Sequence, residues 1–464
     1  MANPAVTNGT ITNVVRTLTV SEIIDRSPLS AYQIWMIVLC GTLLILDGYD
    51  ALTMGYLTAP ISAATHIPVH SFGPILSASL FGLMLAAMGS GPIADRWGRK
   101  WPVIVSVMVF GIFAALTAKA HTYEQLLVYR FLTGLGLGGA MPNVVAIASE
   151  YAPKRQMTVI VSTLFAGMPL GGLICGLVSS ALIPTWGWQW VFYLGGYVPV
   201  AIALALIFVL PESVRFLVLW RKDLDKVRKT LVRISPAVAA GKVEVSLEPD
   251  KKSKGVPVMQ LFTEGRAVAT LLLWIPNFMN LLLLYFINSW LPALLRESGL
   301  SISAGVRATA ATGLGGVIAT LVEGYLINAC GAYTVLIAEF GLGAACMALL
   351  GYVARSFGLA AAVAFVLGFL VIGAQGGLNA LAARFYPTAM RSTGVGWALG
   401  VGRVGSVVGP LLAGMLLTAG WKPPQLLLSG GLAAVCACLA IIGSKLARGG
   451  TTAYSAPELG FPEA

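Results

Sequence analysis

The chain has 464 residues, of which 57% are hydrophobic and 11% charged, and its mean hydropathy is +0.83. Soluble domains carry about 25% charged residues, so a soluble enzyme and a nucleic-acid-binding domain are both excluded and a polytopic membrane protein is indicated. The net charge of +11 does not restore nucleic acid as a partner, because most of the basic residues lie in short loops between apolar runs, where membrane topology puts them.

Residues 1–31 are polar and are expected to form a cytoplasmic tail. The first apolar run is too long and starts too late for a cleavable signal, so none is expected. Runs near 33–60, 72–94, 101–119, 122–149, 157–183 and 187–210 are each long enough to cross a bilayer. The polar stretch 211–266 reads as a solvated cytoplasmic linker, with an amphipathic helix at its start as the alternative. Six more runs lie near 267–295, 304–328, 333–354, 357–383, 392–419 and 424–446, and the tail 448–464 reads as disordered. The expected fold is an all-α integral membrane protein of twelve transmembrane helices. It divides into two six-helix bundles over 32–210 and 267–447, related by a pseudo-two-fold axis.

With both termini inside, the inner segments collect most of the basic residues, among them Arg96, Arg99, Lys100, Lys154, Arg155, Arg384 and Arg391. The outer loops keep only Lys119, Arg296, Arg307, Arg355 and Lys422. That asymmetry makes both termini cytoplasmic. The six cysteines lie in or beside apolar runs and form no CxxC pair, so they read as small buried residues. His66, His70 and His121 lie in or beside outer loops without ligand spacing. Neither a metal nor a cofactor is expected.

The halves echo each other. Gly91–Lys100 joins the second and third runs, and Gly324–Tyr333 joins the eighth and ninth with both glycines kept, Asp95 replaced by Asn328 and the basic residues lost. Duplicated halves place a substrate site at their interface, near the midplane.

Three kinds of ionisable residue stand inside the runs. Asp47 and Asp50 flank Gly48 and Tyr49 in the first. Each carboxylate costs about 2.5–3.5 kcal/mol at the centre of a membrane helix, and three residues of separation puts both on one face. Two such groups in low dielectric resist being ionised together, which suits a proton-coupled carrier; a structural pair neutralised by an arginine is the alternative. Arg130 and Arg403 are the intramembrane cations. At about 1.5 Å per residue, Asp47, Arg130 and Arg403 come out roughly 9–12 Å from the outer face of a ~30 Å core, a common level for a central cavity. Glu323 and Glu339 lie nearer the inner ends of their helices, where Arg384 or Arg391 would pair with them in an inner gate; a proton relay is the alternative. Gly134, Gly136, Gly402 and Gly405 mark close helix contacts.

Gly91-Pro-Ile-Ala-Asp95-Arg-Trp-Gly98-Arg99-Lys100 resembles the signature loop of the major facilitator superfamily. Arg130-Phe-Leu-Thr-Gly134-Leu-Gly136 resembles its fourth-helix motif, and Pro211-Glu-Ser-Val-Arg215-Phe a pattern closing the sixth helix in its solute–proton branches. Asp47-Gly-Tyr-Asp50 with Met54-Gly55, Ser289-Trp-Leu-Pro292, Tyr386–Gly394 and Gly402–Gly405 resemble the aromatic acid:proton symporter family. The loss of basic residues from the second signature loop departs from the pattern, and implies different gating in the C-terminal half.

The resemblance implies a symporter that imports an aromatic carboxylate, such as a hydroxybenzoate, with protons by alternating access across the cell inner membrane. Asp47 and Asp50 would handle protons, with the titrating one left open. Arg403 is the expected receptor for the substrate carboxylate, since guanidinium offers a two-pronged fork. Arg130 would share that task or hold an aspartate. Tyr49, Trp290 and Trp397, with Tyr285 and Phe286, are candidates for stacking on the ring, and Asn288, Gln375 and Asn379 for bonding its hydroxyls. The resemblance also implies a latch, in which Asp95 meets the N-terminus of the eleventh helix, Arg99 pairs with Glu150, and Arg96, Arg391 and Glu323 complete the gate. The expected partners are the aromatic acid, protons and the lipid bilayer, with one chain sufficing. Carriers of unsaturated dicarboxylates, sugars or drugs, and a transporter-like sensor, are the alternatives. No enzyme motif such as HExxH or GxSxG in context is present.

Overall fold

The computed structural model describes residues 16–220, 224–235, 238, 243–246, 258–263, 266–387 and 390–449. The expectation for the C-terminal tail falls, from residue 450 on, outside them. In chain order the elements are β1 (Arg16–Thr19), α1 (Val20–Arg26), α2 (Ala31–Thr65), α3 (Phe72–Trp97), α4 (Lys100–Thr117), α5 (Tyr123–Tyr151), α6 (Lys154–Thr185) and α7 (Gln189–Val209). There follow α8 (Val214–Leu219), α9 (Leu224–Ile234), β2 (Val243–Ser246), α10 (Ala267–Glu297), α11 (Ile302–Cys330), α12 (Ala332–Val353), α13 (Phe357–Phe385), α14 (Arg391–Thr418) and α15 (Pro423–Gly449). Among the described residues, twelve helices are long and apolar enough to cross a membrane, α2–α7 and α10–α15, one for each expected run.

Their ends follow local chemistry. Ser30 and Gln33 form a reciprocal capping box at the start of α2, each side chain accepting the other's backbone N–H. Gly98 ends α3 at φ 89°, a conformation that disfavours any side chain. A Cβ there would also run into the carboxylate of Glu212.

Each half repeats one packing scheme. α2 packs on α6, α3 on α5 and α4 on α7; likewise α10 packs on α14, α11 on α13 and α12 on α15. Small residues let backbones touch, the main source of helix association where lipid is as apolar as leucine. Gly48 lies against the Met168 carbonyl, Gly134 against that of Ser79 and Gly368 against that of Thr312.

The halves meet through α6–α11, α3–α14 and α2–α10. At the end away from the basic loops, Gly73 abuts Gly414 and Pro410, Gly55 abuts the Asn288 carbonyl, and Gly176 abuts Ala310. Ser77 donates to the Val407 carbonyl at 2.8 Å, and Arg296 to that of Ala59 at 3.3 Å. At the basic end, Gly89 and Gly91 of α3 and Gly396 and Gly400 of α14 have no atom within 4 Å of a would-be Cβ. The halves are closed on each other at the end away from the basic loops, and these four positions at the basic end meet no partner.

The linker expected after α7 is corrected over its first part. β2 pairs in parallel with β1, Arg16 opposite Val243 and Thr19 opposite Ser246. Ile23 and Ile24 of α1, Leu217 and Val218 of α8, and Val227, Leu231 and Ile234 of α9 are buried in one core with the basic end of the first half. The charges of α9 concealed an apolar stripe at Val227, Leu231 and Ile234, which is helical spacing. Asp25 ties α1 to this cap by accepting from the Lys154 backbone at 2.9 Å and its ammonium at 3.0 Å. Partial burial works against the ionised form of Asp25, yet these bonds, with the Lys154 and Arg215 charges, hold its carboxyl below the usual range.

A candidate binding site at the centre of the bundle

Gly48 seats α2 on Met168 of α6 and Gly134 seats α5 on Ser79 of α3, and α2 and α5 lie against each other, so that Arg130 reaches Asp50. The guanidinium donates Nη1 to Oδ1 at 3.0 Å and Nη2 to Oδ2 at 3.1 Å, with the Asp50 carbonyl at 3.5 Å and Ser79 Oγ at 3.4 Å from Nη2. Its central carbon lies 6.0 Å from the centroid of the Phe192 ring. Both residues are 1% exposed. This is a two-pronged, charge-assisted pair sealed within the first half, and it occupies the fork of Arg130.

Asp47 is also buried, yet neither carboxylate oxygen meets a hydrogen-bond donor among the described residues. It lines a small pocket with Leu43, Phe110, Leu137 and Met141. The charges that act on it are Arg403, from the other half, and Asp50. Arg403, half-buried on α14, places Nη2 3.5 Å from the Met141 sulfur and lies within hydrogen-bonding reach of the Tyr285 hydroxyl. Among the described residues no carboxylate forms an ion pair with Arg403. The two halves therefore bring together a buried carboxyl without a donor and a guanidinium without a counter-ion.

Beside them, α10 and α13 share a row of amides. Asn280 Nδ2 donates to Gln375 Oε1 at 3.0 Å and to the Val371 carbonyl at 3.2 Å. Gln375 Nε2 donates to Asn277 Oδ1 at 3.4 Å and Asn379 Oδ1 at 3.3 Å. Asn277 and Asn280 were missed from the sequence, although as polar residues inside an apolar run they carried the same signal as Gln375. Trp397 is half-exposed and stacks on Trp274, with centroids 6.1 Å apart and planes at 14°.

Other candidates go elsewhere. The Tyr49 hydroxyl donates to the Val191 carbonyl at 3.1 Å and its ring packs on Gly195. Trp290 is fully buried and donates to the Pro410 carbonyl at 3.0 Å. Both leave no free face for a ligand in this conformation. Asn288 is buried where α10 meets Gly55, at the closed end. Tyr285 and Phe286 are buried on α10.

At the basic end Arg99 pairs with Glu150 at 2.6 Å, and Ser213 donates to the other Glu150 oxygen at 2.7 Å. Glu212 Oε1 accepts the backbone N–H groups of Arg99 at 2.7 Å, Lys100 at 3.2 Å and Ser213 at 2.9 Å. It thereby caps the start of α4, where a negative charge is favoured. The sequence displayed Glu212 and Ser213 in a motif, but nothing in their spacing aimed them at the signature loop. Asp95 and Arg96 are exposed, and Arg391 is exposed at the start of α14. Asp95 engages through its carbonyl, which accepts from Trp220 Nε1 at 3.2 Å. The arginine partners expected for Glu323 and Glu339 are not there; the two glutamates face each other.

Paired six-helix halves closing on a central polar site define a transporter of the major facilitator fold. The E. coli xylose transporter XylE, solved in a partially occluded inward-open conformation, superposes with a TM-score of 0.68 at 16% identity, covering 89% of this chain and 98% of that one. The chain is 38% identical to the 4-hydroxybenzoate transporter PcaK of Pseudomonas putida, over 93% of this chain and 96% of that protein. It is 36% identical to the gallate transporter of Pseudomonas putida, over 94% and 98% respectively. Residues 35–445 match the family described as sugar (and other) transporter. The chain belongs to that family of the major facilitator superfamily, and the relatives it matches are named as aromatic acid transporters.

Proposed function

We propose that the protein imports a hydroxylated aromatic carboxylate together with protons across a bacterial inner membrane, with both termini in the cytoplasm. The observation that carries this is the juxtaposition of Asp47, buried without a donor, and Arg403, a cavity cation without a carboxylate partner. The relatives named as 4-hydroxybenzoate and gallate transporters support the substrate class.

Arg403 receives the substrate carboxylate through its fork. The amides of Asn277, Asn280, Gln375 and Asn379 face the ring hydroxyls, and Trp397 offers a ring face. Asp47 carries the proton, because the Asp50 carboxylate is held by Arg130. A protonated Asp47 and a neutralised Arg403 remove two charges from the cavity, which lowers the barrier to closing it. The halves, residues 32–210 and 267–447, then rock between a conformation open towards the cytoplasm and its outward-open counterpart. Arg99, Glu150 and Glu212 hold the signature loop in shape, so that Asp95 can meet α14 when the cytoplasmic end shuts.

The test is uptake of labelled 4-hydroxybenzoate into proteoliposomes with an imposed pH gradient. Asp47→Asn is expected to retain exchange of substrate down its own gradient while losing accumulation against it. Accumulation that survives either this substitution or collapse of the pH gradient removes the proton role. A second prediction concerns the closed end. Gly73→Trp would force a ring against Gly414 and Pro410, holding that end apart. Uptake is expected to fall to background while substrate binding in detergent persists within a few-fold; wild-type uptake would show that this contact need not form.

A further inference from the structure

Glu323 of α11 and Glu339 of α12 are 3% and 4% exposed, and all four of their carboxylate oxygens are buried without a donor among the described residues. The two side chains converge on α13: a Cβ on Gly373 would lie 2.8 Å from Glu339 Oε1 and 3.1 Å from Glu323 Oε2, and one on Gly377 would lie 2.9 Å from Glu323 Oε1. Each is within hydrogen-bonding reach of the other, and no other charged group acts on either.

Among the described residues, no cation donates to either carboxylate. Arg384 on α13, Arg391 on α14 and Lys445 on α15 are exposed, and Arg307 on α11 lies over the Phe357 ring near the closed end. The nearest titratable neighbours along α12 and α15 are engaged elsewhere, Cys438 with the Ile337 carbonyl and Tyr333 with Ser444. Two facing carboxylates are two acceptors with nothing to share, and like charges in low dielectric cannot both persist. One proton turns the same geometry into a donor–acceptor pair.

We propose that Glu323 and Glu339 form a second proton-binding site, confined to the C-terminal half, in which the two carboxyl groups share a proton. α13 carries the glycines that receive the pair at 373 and 377 and, two residues from each, Gln375 and Asn379 or Val371 of the amide row. A change of charge on the pair is therefore felt by the helix that carries the proposed hydroxyl-binding amides. The site differs from Asp47, which lies in the other half beside Arg403.

The first measurement needs no substrate, so it stands apart from the transport reading. Infrared spectra of the purified protein at neutral pH are expected to show the carbonyl band of a buried, protonated carboxyl. The band should survive Asp47→Asn and be lost when the isosteric Glu323→Gln and Glu339→Gln are added to that variant. Its absence from the Asp47→Asn protein, or its persistence in the triple variant, overturns the proposal. The second measurement rests on the proposed transport activity and uses single variants. Glu339→Gln is expected to shift the pH dependence of 4-hydroxybenzoate uptake by about one unit with gradient-driven accumulation retained. A profile that coincides with wild type overturns the coupling of the pair to transport, whereas loss of accumulation in wild type itself would fault the transport reading alone.

Discussion

Arg403→Ala is expected to weaken binding of 4-hydroxybenzoate by about two to four orders of magnitude with little loss of folded protein. Hydrogen bonds to charged groups contribute about 1.5–3 kcal/mol each, and a carboxylate in the fork of Arg403 would take two. At about 1.4 kcal/mol per tenfold, that is a factor on the order of a hundred to ten thousand. Arg403 touches the rest of the protein through Met141 and the reach to Tyr285, so its removal breaks no salt bridge among the described residues. Arg403→Lys keeps the charge and loses the fork, and should fall between alanine and wild type. Calorimetric titration in detergent, with uptake KM in proteoliposomes, measures both. Binding of the alanine variant within threefold of wild type would place the carboxylate elsewhere.

The second large effect is on stability. Asp50→Asn or Arg130→Gln leaves the other partner charged and buried, and breaking a buried pair this way costs about 3–5 kcal/mol. Each single variant is expected to show a sharp loss of folded yield and a lower unfolding midpoint. The double variant, with no buried charge, should recover much of both. The coupling read from that cycle is the measurement. Single variants as stable as wild type would mean that Asp50 and Arg130 are not paired in the membrane. Asp47→Asn makes the contrast, since its oxygens lack donors to lose.

The twelve spans were legible because each is a long apolar run, and in lipid only helices satisfy the backbone along such a run. The central level was legible too, because an ionisable residue inside a run must face the interior. Which charge meets which was not. Asp47 and Asp50 share a helix face, and only the packed bundle shows that Arg130 reaches Asp50 while Asp47 looks to Arg403. Glu323 and Glu339 stand at equal distances on either side of Gly331, the turn between α11 and α12. That symmetry is visible in the sequence, but spacing alone does not say that the two carboxyls meet each other and not Arg384 or Arg391. The pairing of β1 with β2 left no trace in the sequence, because both strands are short and their partners lie at opposite ends of the first half.

That strand pair also orders events in time. β1 leaves the ribosome before any span, yet the partner of its Arg16 is Val243, beyond the sixth. At about 5–20 residues per second the strand waits roughly ten seconds or more for that partner. The clasp can form only once all six helices of the N-terminal half have threaded into the bilayer with their ends on the proper side. A misinserted helix would strand the two segments on opposite faces. The cap can thus close the first half as a finished unit while the second is still being made.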